Sequence, residues 1–125
     1  VDARDASAHA RLLEIMEGGA YAEPGLTIGS LADKVGVPEH QLRALINQSL
    51  GYRNFSAFLN KYRIDAAKAA LGDPDQGRTP VLTIAMDTGY GSLAPFNRAF
   101  KAAENTTPTQ FRKLALEKLV DPEKG

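Results

Sequence analysis

The chain contains no cysteine among its 125 residues. That excludes a disulfide scaffold, a thiolate nucleophile and a Cys-ligated zinc site. Tryptophan is also absent, and four Tyr and five Phe are the only rings, so the core has to be built on Leu, Ile, Val and Ala. Such a core suits small, closely packed helices. No apolar run approaches the roughly 18 residues needed to span a bilayer as a helix. The N-terminus, V-D-A-R-D, lacks the basic-then-apolar pattern of a secretory signal. It also lacks an initiator Met, which predicts a processed chain or an excised fragment.

Further absences narrow the chemistry. His9 and His40 are the only histidines and have no ligand spacing, so no metal is expected. Serines and carboxylates are scattered with no His placed to activate them, which argues against an enzyme. The run Gly89 to Ala94, G-Y-G-S-L-A, imitates a dinucleotide-binding loop. No strand precedes it and no acidic partner stands about 20 residues on, so no cofactor is expected. Asn47, Asn54 and Asn105 each open an N-x-Ser/Thr sequon, yet nothing directs the chain to a secretory route.

Net charge is zero, from 15 bases and 15 acids. The two signs are nevertheless segregated. Residues 51–71 carry four bases against one acid, and residues 93–113 repeat that ratio, while residues 1–26 carry five acids against two bases. Two basic blocks in a neutral chain are expected if one face meets phosphate.

What is present is helical periodicity, and no convincing strand pattern. Seven helices are predicted, over about Ala6–Glu17, Ile28–Lys34, Pro38–Leu50, Phe55–Leu71, Val81–Thr88, Leu93–Glu104 and Pro108–Leu119. Leu12, Leu13 and Met16 form the stripe of the first. Thr27 caps the second through its hydroxyl alone, since Asp33 is not the Glu or Gln of a capping box. Gly36 ends it where positive φ is needed, and Pro38 takes the first position of the third. Asn54 caps the long helix, whose inner stripe is Phe58, Leu59, Tyr62, Ala66, Ala69 and Ala70, with Arg63 and Lys68 outside. In the last helix Phe111, Ala115 and Leu119 are the buried set, and the tail after Val120 is expected to fray.

Two places carry the arrangement helix, sharp turn, helix with a polar outer face, which is the grammar of a DNA-reading helix-turn-helix. In the first, Leu42, Leu45 and Ile46 point inward and His40, Arg43, Ala44 and Asn47 outward. In the second, Gly89 makes the turn, Phe96 and Phe100 are buried, and Leu93, Ala94, Asn97, Arg98 and Lys101 face out. Arg43 and Arg98 suit guanine, whose O6 and N7 accept a bidentate guanidinium. Glu39 repels phosphate unless it accepts from a cytosine amino group. Thr27, Ser92 and Thr107 stand at helix starts, where they cap and where free amides attract phosphate. Arg53, Asn54, Lys101 and Arg112 complete the phosphate candidates. The segments around Gly36 and Gly89 are a weak internal repeat, 53 residues apart.

The run from Ile84 to Arg112 resembles the signature of the AraC-type transcription regulators. The matching residues are Ile84, Ala85, Gly89, Tyr90, Ser92, Phe96, Arg98, Phe100, Lys101, Thr107, Pro108, Phe111 and Arg112. Upstream, Leu31-Ala32, Leu42, Gly51, Phe55, Tyr62-Arg63-Ile64, Ala66 and Leu71 extend the likeness to about residues 7–116. The sequence departs where Ala94 replaces a small polar residue, where Asn105 replaces a Gly, and where Pro95 enters the first turn of the reading helix. Leu93, Ala94 and Pro95 leave that edge apolar, which favours thymine methyls over hydrogen-bonded base edges.

The resemblance implies an all-α fold of seven helices in two helix-turn-helix subdomains, residues 1–53 and 73–125, joined by a linker helix over 54–72. It implies double-stranded DNA as partner, with the two readers in successive major-groove segments. It further implies RNA polymerase as a partner, a sensing or dimerisation domain outside this chain, no membrane contact within the chain, and a cytoplasmic, nucleoid-associated location. The competing reading is a helical protein-interaction module that kept the fold and lost DNA affinity.

Overall fold

A computed structural model describes residues 3–120. Among these residues there are seven α-helices and no strand. The chain divides into two compact units, Val1–Tyr62 and Arg63–Gly125.

The first unit holds α1 (Ala3–Glu17), α2 (Ile28–Val35), α3 (Glu39–Ala44) and the first part of α4 (Phe55–Leu71). Its core is aliphatic around one ring: Leu12, Met16, Leu31, Leu42, Ile46 and Phe58 are fully buried. Tyr52 and Tyr62 meet Phe58 edge-on at 5.3 and 5.4 Å. Thr27 accepts from the Ser30 amide at 3.0 Å, and Ser30 Oγ in turn accepts from the Thr27 amide at 3.2 Å. The cap is therefore a reciprocal box closed by Ser30, the third helical residue; Asp33 lies a turn too far on to take part. Gly36 adopts φ 86° and returns its amide to Ala32 O at 2.8 Å. Arg11 Nε donates to Val35 O at 2.8 Å, so α1 covers a carbonyl left open at the end of α2.

Two details of α3 differ from the sequence expectation. Pro38 is extended, with φ −62° and ψ 150°, and flanks the helix that Glu39 begins. The helix also does not run regularly to Leu50. From Leu45 to Ser49 it widens into a π turn, closed by Leu50 N to Leu45 O at 3.0 Å. Tyr52 N then reaches back to Ile46 O at 3.0 Å, and Gly51, at φ 79°, lets the chain leave. The buried stripe ends at Ile46, before the extra residue can shift its period, so the pattern does not reveal the turn.

The second unit holds the rest of α4, α5 (Val81–Asp87), α6 (Leu93–Glu104) and α7 (Pro108–Val120). Ile64, Leu71, Ile84, Phe96 and Phe100 are its main buried residues, with Tyr90 against Phe96 at 5.3 Å and Phe111 against Phe100 at 5.5 Å. The Thr88 hydroxyl donates to Ile84 O, 2.9 Å away, which satisfies a buried polar group where α5 ends. Asn105 closes α6 at φ 58°, ψ 25° and is the one non-glycine residue in the left-handed region among the described residues. Lys68 bridges Glu104 at 3.3 Å.

The ends of α4 match the sequence reading, but its buried face does not. Ala69 is exposed, and Ile64 and Ala67 are buried in its place. The helix serves two cores, so its apolar register restarts at Ile64, whereas a single stripe assumes one core. Arg63 is buried rather than outward. Its guanidinium lies 5.3 Å from the centroid of the Tyr90 ring, where a planar cation can stack. Leu119 is 58% exposed, not core, because the half-buried stripe of α7 runs through Phe111, Ala115 and Leu116, and Leu119 lines a surface groove with Gly72 and Glu104. The tail beyond Val120 lies outside the described residues.

Burial pushes the Tyr90 hydroxyl up to about 12, against a smaller opposing pull from the Arg63 charge, and burial lowers Arg63. The folded state thus favours neutral Tyr90. That stabilisation is complete below pH 10, the ordinary tyrosine value, and is lost as pH rises through about 12. The second unit is expected to lose stability within that window, followed by tyrosinate absorbance and circular dichroism together. Tyr90→Phe should remove this part of the alkaline transition. Titration of all tyrosines near pH 10 in the folded chain would contradict it.

Candidate nucleic-acid interface

The two turn-linked helix pairs expose two faces. On α3 the inward residues Leu42, Leu45 and Ile46 leave His40, Arg43 and Asn47 exposed and Ala44 half-buried. The face is not simply basic. Arg43 is held by Glu39, four residues earlier, at 2.8 Å. A Cβ on Gly29 would lie 3.0 Å from Glu39 Oε1, so the glycine leaves room for this carboxylate beside the first turn of α2. The i,i+4 spacing makes the pair legible in sequence. The pair changes the reading of Glu39, given above only as a carboxylate that repels phosphate or accepts from cytosine: it also holds Arg43.

On α6 the buried Phe96 and Phe100 fix the opposite face outward. Ala94, Asn97, Arg98 and Lys101 are exposed, and Leu93 is 37% exposed. Arg98 has no hydrogen-bond or ion-pair partner among the described residues. Leu93, Asn97 and Lys101 form one wall of a cavity of about 310 Å³, faced by Val81, Thr107 and Pro108. Val81 and Pro108 were not among the sequence candidates, and no single-helix pattern would have joined them to α6.

The phosphate candidates separate. Thr27 and Thr107 are exposed caps, Thr107 accepting from the Gln110 amide at 3.1 Å. Asn54 is exposed and accepts from the Ala57 amide at 2.8 Å, and Arg53 beside it is exposed. Ser92 is not the cap expected of it. It is extended, with φ −163° and ψ 173°, and its side chain makes no cap hydrogen bond. Arg112 is half-buried and donates to Thr79 O at 2.6 Å, which commits one of its nitrogens to holding the loop before α5.

A pair of helix-turn-helix units with exposed second helices defines the class. Residues 31–114 match a family described as a helix-turn-helix domain. The chain belongs to this family of AraC-type helix-turn-helix proteins. It is 37% identical over 87 residues to an HTH-type transcriptional regulator of Staphylococcus aureus, across 70% of this chain and 11% of that protein. The chain therefore spans about a tenth of the length of that relative. It is 29% identical over 102 residues to PqrA of Proteus vulgaris, named a probable transcription factor, across 82% and 80% of the two chains. Among solved structures it is similar to the C-terminal domain of AraT, a response regulator from Geobacillus stearothermophilus. The TM-score is 0.72, with 28% identity across 86% of this chain and 84% of that one. An AraC-type DNA-binding-domain protein from Chromobacterium violaceum matches at TM-score 0.75 and 23% identity across 91% and 96%, and bears on the fold alone.

Proposed function

We propose that the chain binds double-stranded DNA sequence-specifically as part of a transcription regulator, with α3 and α6 each entering a major-groove segment. The observation that carries this is the exposed face of α6, where Arg98 and Lys101 stand outward over the buried Phe96 and Phe100. Arg98, Asn97 and Ala94 would meet bases on one side, and His40, Arg43, Ala44 and Asn47 on the other. Arg53, Asn54, Lys101 and the helix starts at Thr27, Ser92 and Thr107 would position the backbone. Arg112 is assigned to structure instead, because its guanidinium already serves Thr79. No described helix is long and apolar enough to cross a membrane. RNA polymerase, a sensing or dimerisation domain elsewhere in the full protein, and residence with the nucleoid in the cytoplasm complete the proposal.

The test is duplex binding as a function of salt, followed by selection of bound sites from random duplexes. The logarithm of affinity is expected to fall against the logarithm of salt with a slope of about −0.9 for each phosphate engaged. Selection should return two boxes about one helical turn apart. A flat salt response would turn the reading over to a protein-interaction module, and a single box would leave one reader silent.

A further inference from the structure

The two reading faces differ at their leading edges. Helix α3 opens with Glu39 and His40, both exposed and polar. Helix α6 opens with Leu93, Ala94 and Pro95, none of which has a side-chain donor or acceptor. Leu93 is among the few large hydrophobic side chains left exposed, and Ala94 beside it is exposed as well. The basic residues Arg98 and Lys101 follow on the same helix, so this apolar step belongs to a surface otherwise suited to nucleic acid.

We infer that α6 selects a thymine through its 5-methyl group, which seats against Ala94 and Leu93. This rests on the DNA-binding reading above. Two effects of opposite sign act at such an edge. A thymine methyl pressed on the two side chains loses water from apolar surface, which is favourable. The exposed amino group of cytosine, or the N7 and O6 of guanine, would lose water there and gain no partner, which is unfavourable. The edge therefore discriminates although it makes no hydrogen bond.

The spacing along α6 places the selected thymine. Ala94 and Arg98 are four residues apart and on one face, separated by about 6 Å along the axis. That is about two base steps at 3.4 Å each. The thymine methyl read by Ala94 should then lie about two base pairs from the guanine paired with Arg98. Leu93 lies on the neighbouring ridge with Asn97 and Lys101, which borders the cavity toward α7. It closes the methyl site from that side. The leading edge of α3 is polar, so the methyl step argued here belongs to the box read by α6.

The experiment starts from a duplex selected by this chain. Each thymine is replaced singly by deoxyuridine, which removes only the methyl group. One position in one box should weaken binding about fourfold, the value of one buried carbon group. Ala94→Gly and Leu93→Ala, each first shown by thermal melting to be folded, should bind the thymine and uracil duplexes almost equally. A selected site at which every uracil replacement is neutral would overturn the inference and leave the DNA-binding reading standing. So would survival of every such sensitivity in both variants. Absence of salt-sensitive duplex binding and of any selected site would overturn the DNA-binding reading itself, and this inference with it.

Discussion

Phe96→Ala is expected to destabilise the second unit by about 3–5 kcal/mol, the cost of removing a fully buried ring. The ring has no solvent exposure, and it lies between Tyr90 at 5.3 Å and Phe100 at 5.8 Å. Truncation leaves a void that Tyr90 cannot fill without releasing the Arg63 guanidinium stacked on it. A unit of about 60 residues carries a total stability of only about 3–9 kcal/mol, so a loss of this size is enough to unfold it. The effect should stay local. The first core, built on Leu12, Met16, Leu31, Leu42, Ile46 and Phe58, shares no residue with the core around Phe96. Amide hydrogen exchange on Phe96→Ala should show protection lost across α5, α6 and α7 and retained in α1 to α3. A variant with unchanged protection in α6 would place the ring outside the core and reverse the outward face assigned to Arg98.

The parts of this fold that sequence reveals are those fixed by local chemistry. Both ends of α6 could be read because a turn glycine, Gly89, precedes it and Asn105 follows it, and the structure puts both residues at positive φ. The ends of α4 were equally clear, from the Asn54 cap and the Gly72-Asp73-Pro74 stop. Its buried face was not. A helix that serves two cores has two stripes, and the periodicity of one stripe assigned Ala69 inward and Arg63 outward, the reverse of their places. The π turn after Ala44 was hidden because the buried stripe ends at Ile46, before the extra residue can shift its period. Side-chain partners were the least legible. Ser92 and Thr107 look alike in sequence, yet only Thr107 bonds an amide of its helix, a difference of side-chain direction that residue type does not carry. Arg112 and Arg98 likewise look alike as surface cations. A long-range acceptor, the Thr79 carbonyl 33 residues away, takes Arg112 out of the surface set.

Arg98→Ala is expected to cost about 1–3 kcal/mol of specific binding, the worth of one bidentate pairing with guanine. The contrast with Arg43 gives this expectation its physical content. Arg43 must exchange the Glu39 carboxylate, 2.8 Å away, for its DNA partner. Part of what it gains on binding is offset by what it gives up, and Arg43→Ala leaves an unpaired carboxylate facing the duplex. Arg98 has no such partner to exchange among the described residues, so its binding contribution is not reduced in that way. The loss from Arg98→Ala should also depend on sequence. On a selected duplex affinity should fall about 5- to 150-fold, since 1.4 kcal/mol is a factor of ten, and changing the guanine it reads should then cost the variant nothing further. On unrelated duplexes the variant should bind nearly as the parent does, with a salt slope at most about one phosphate shallower. Equal loss on every duplex would assign Arg98 to a backbone phosphate. Base reading by the second unit would then rest on Asn97 and the apolar edge of Leu93 and Ala94, a surface that offers one amide and a methyl-binding step in place of a guanidinium.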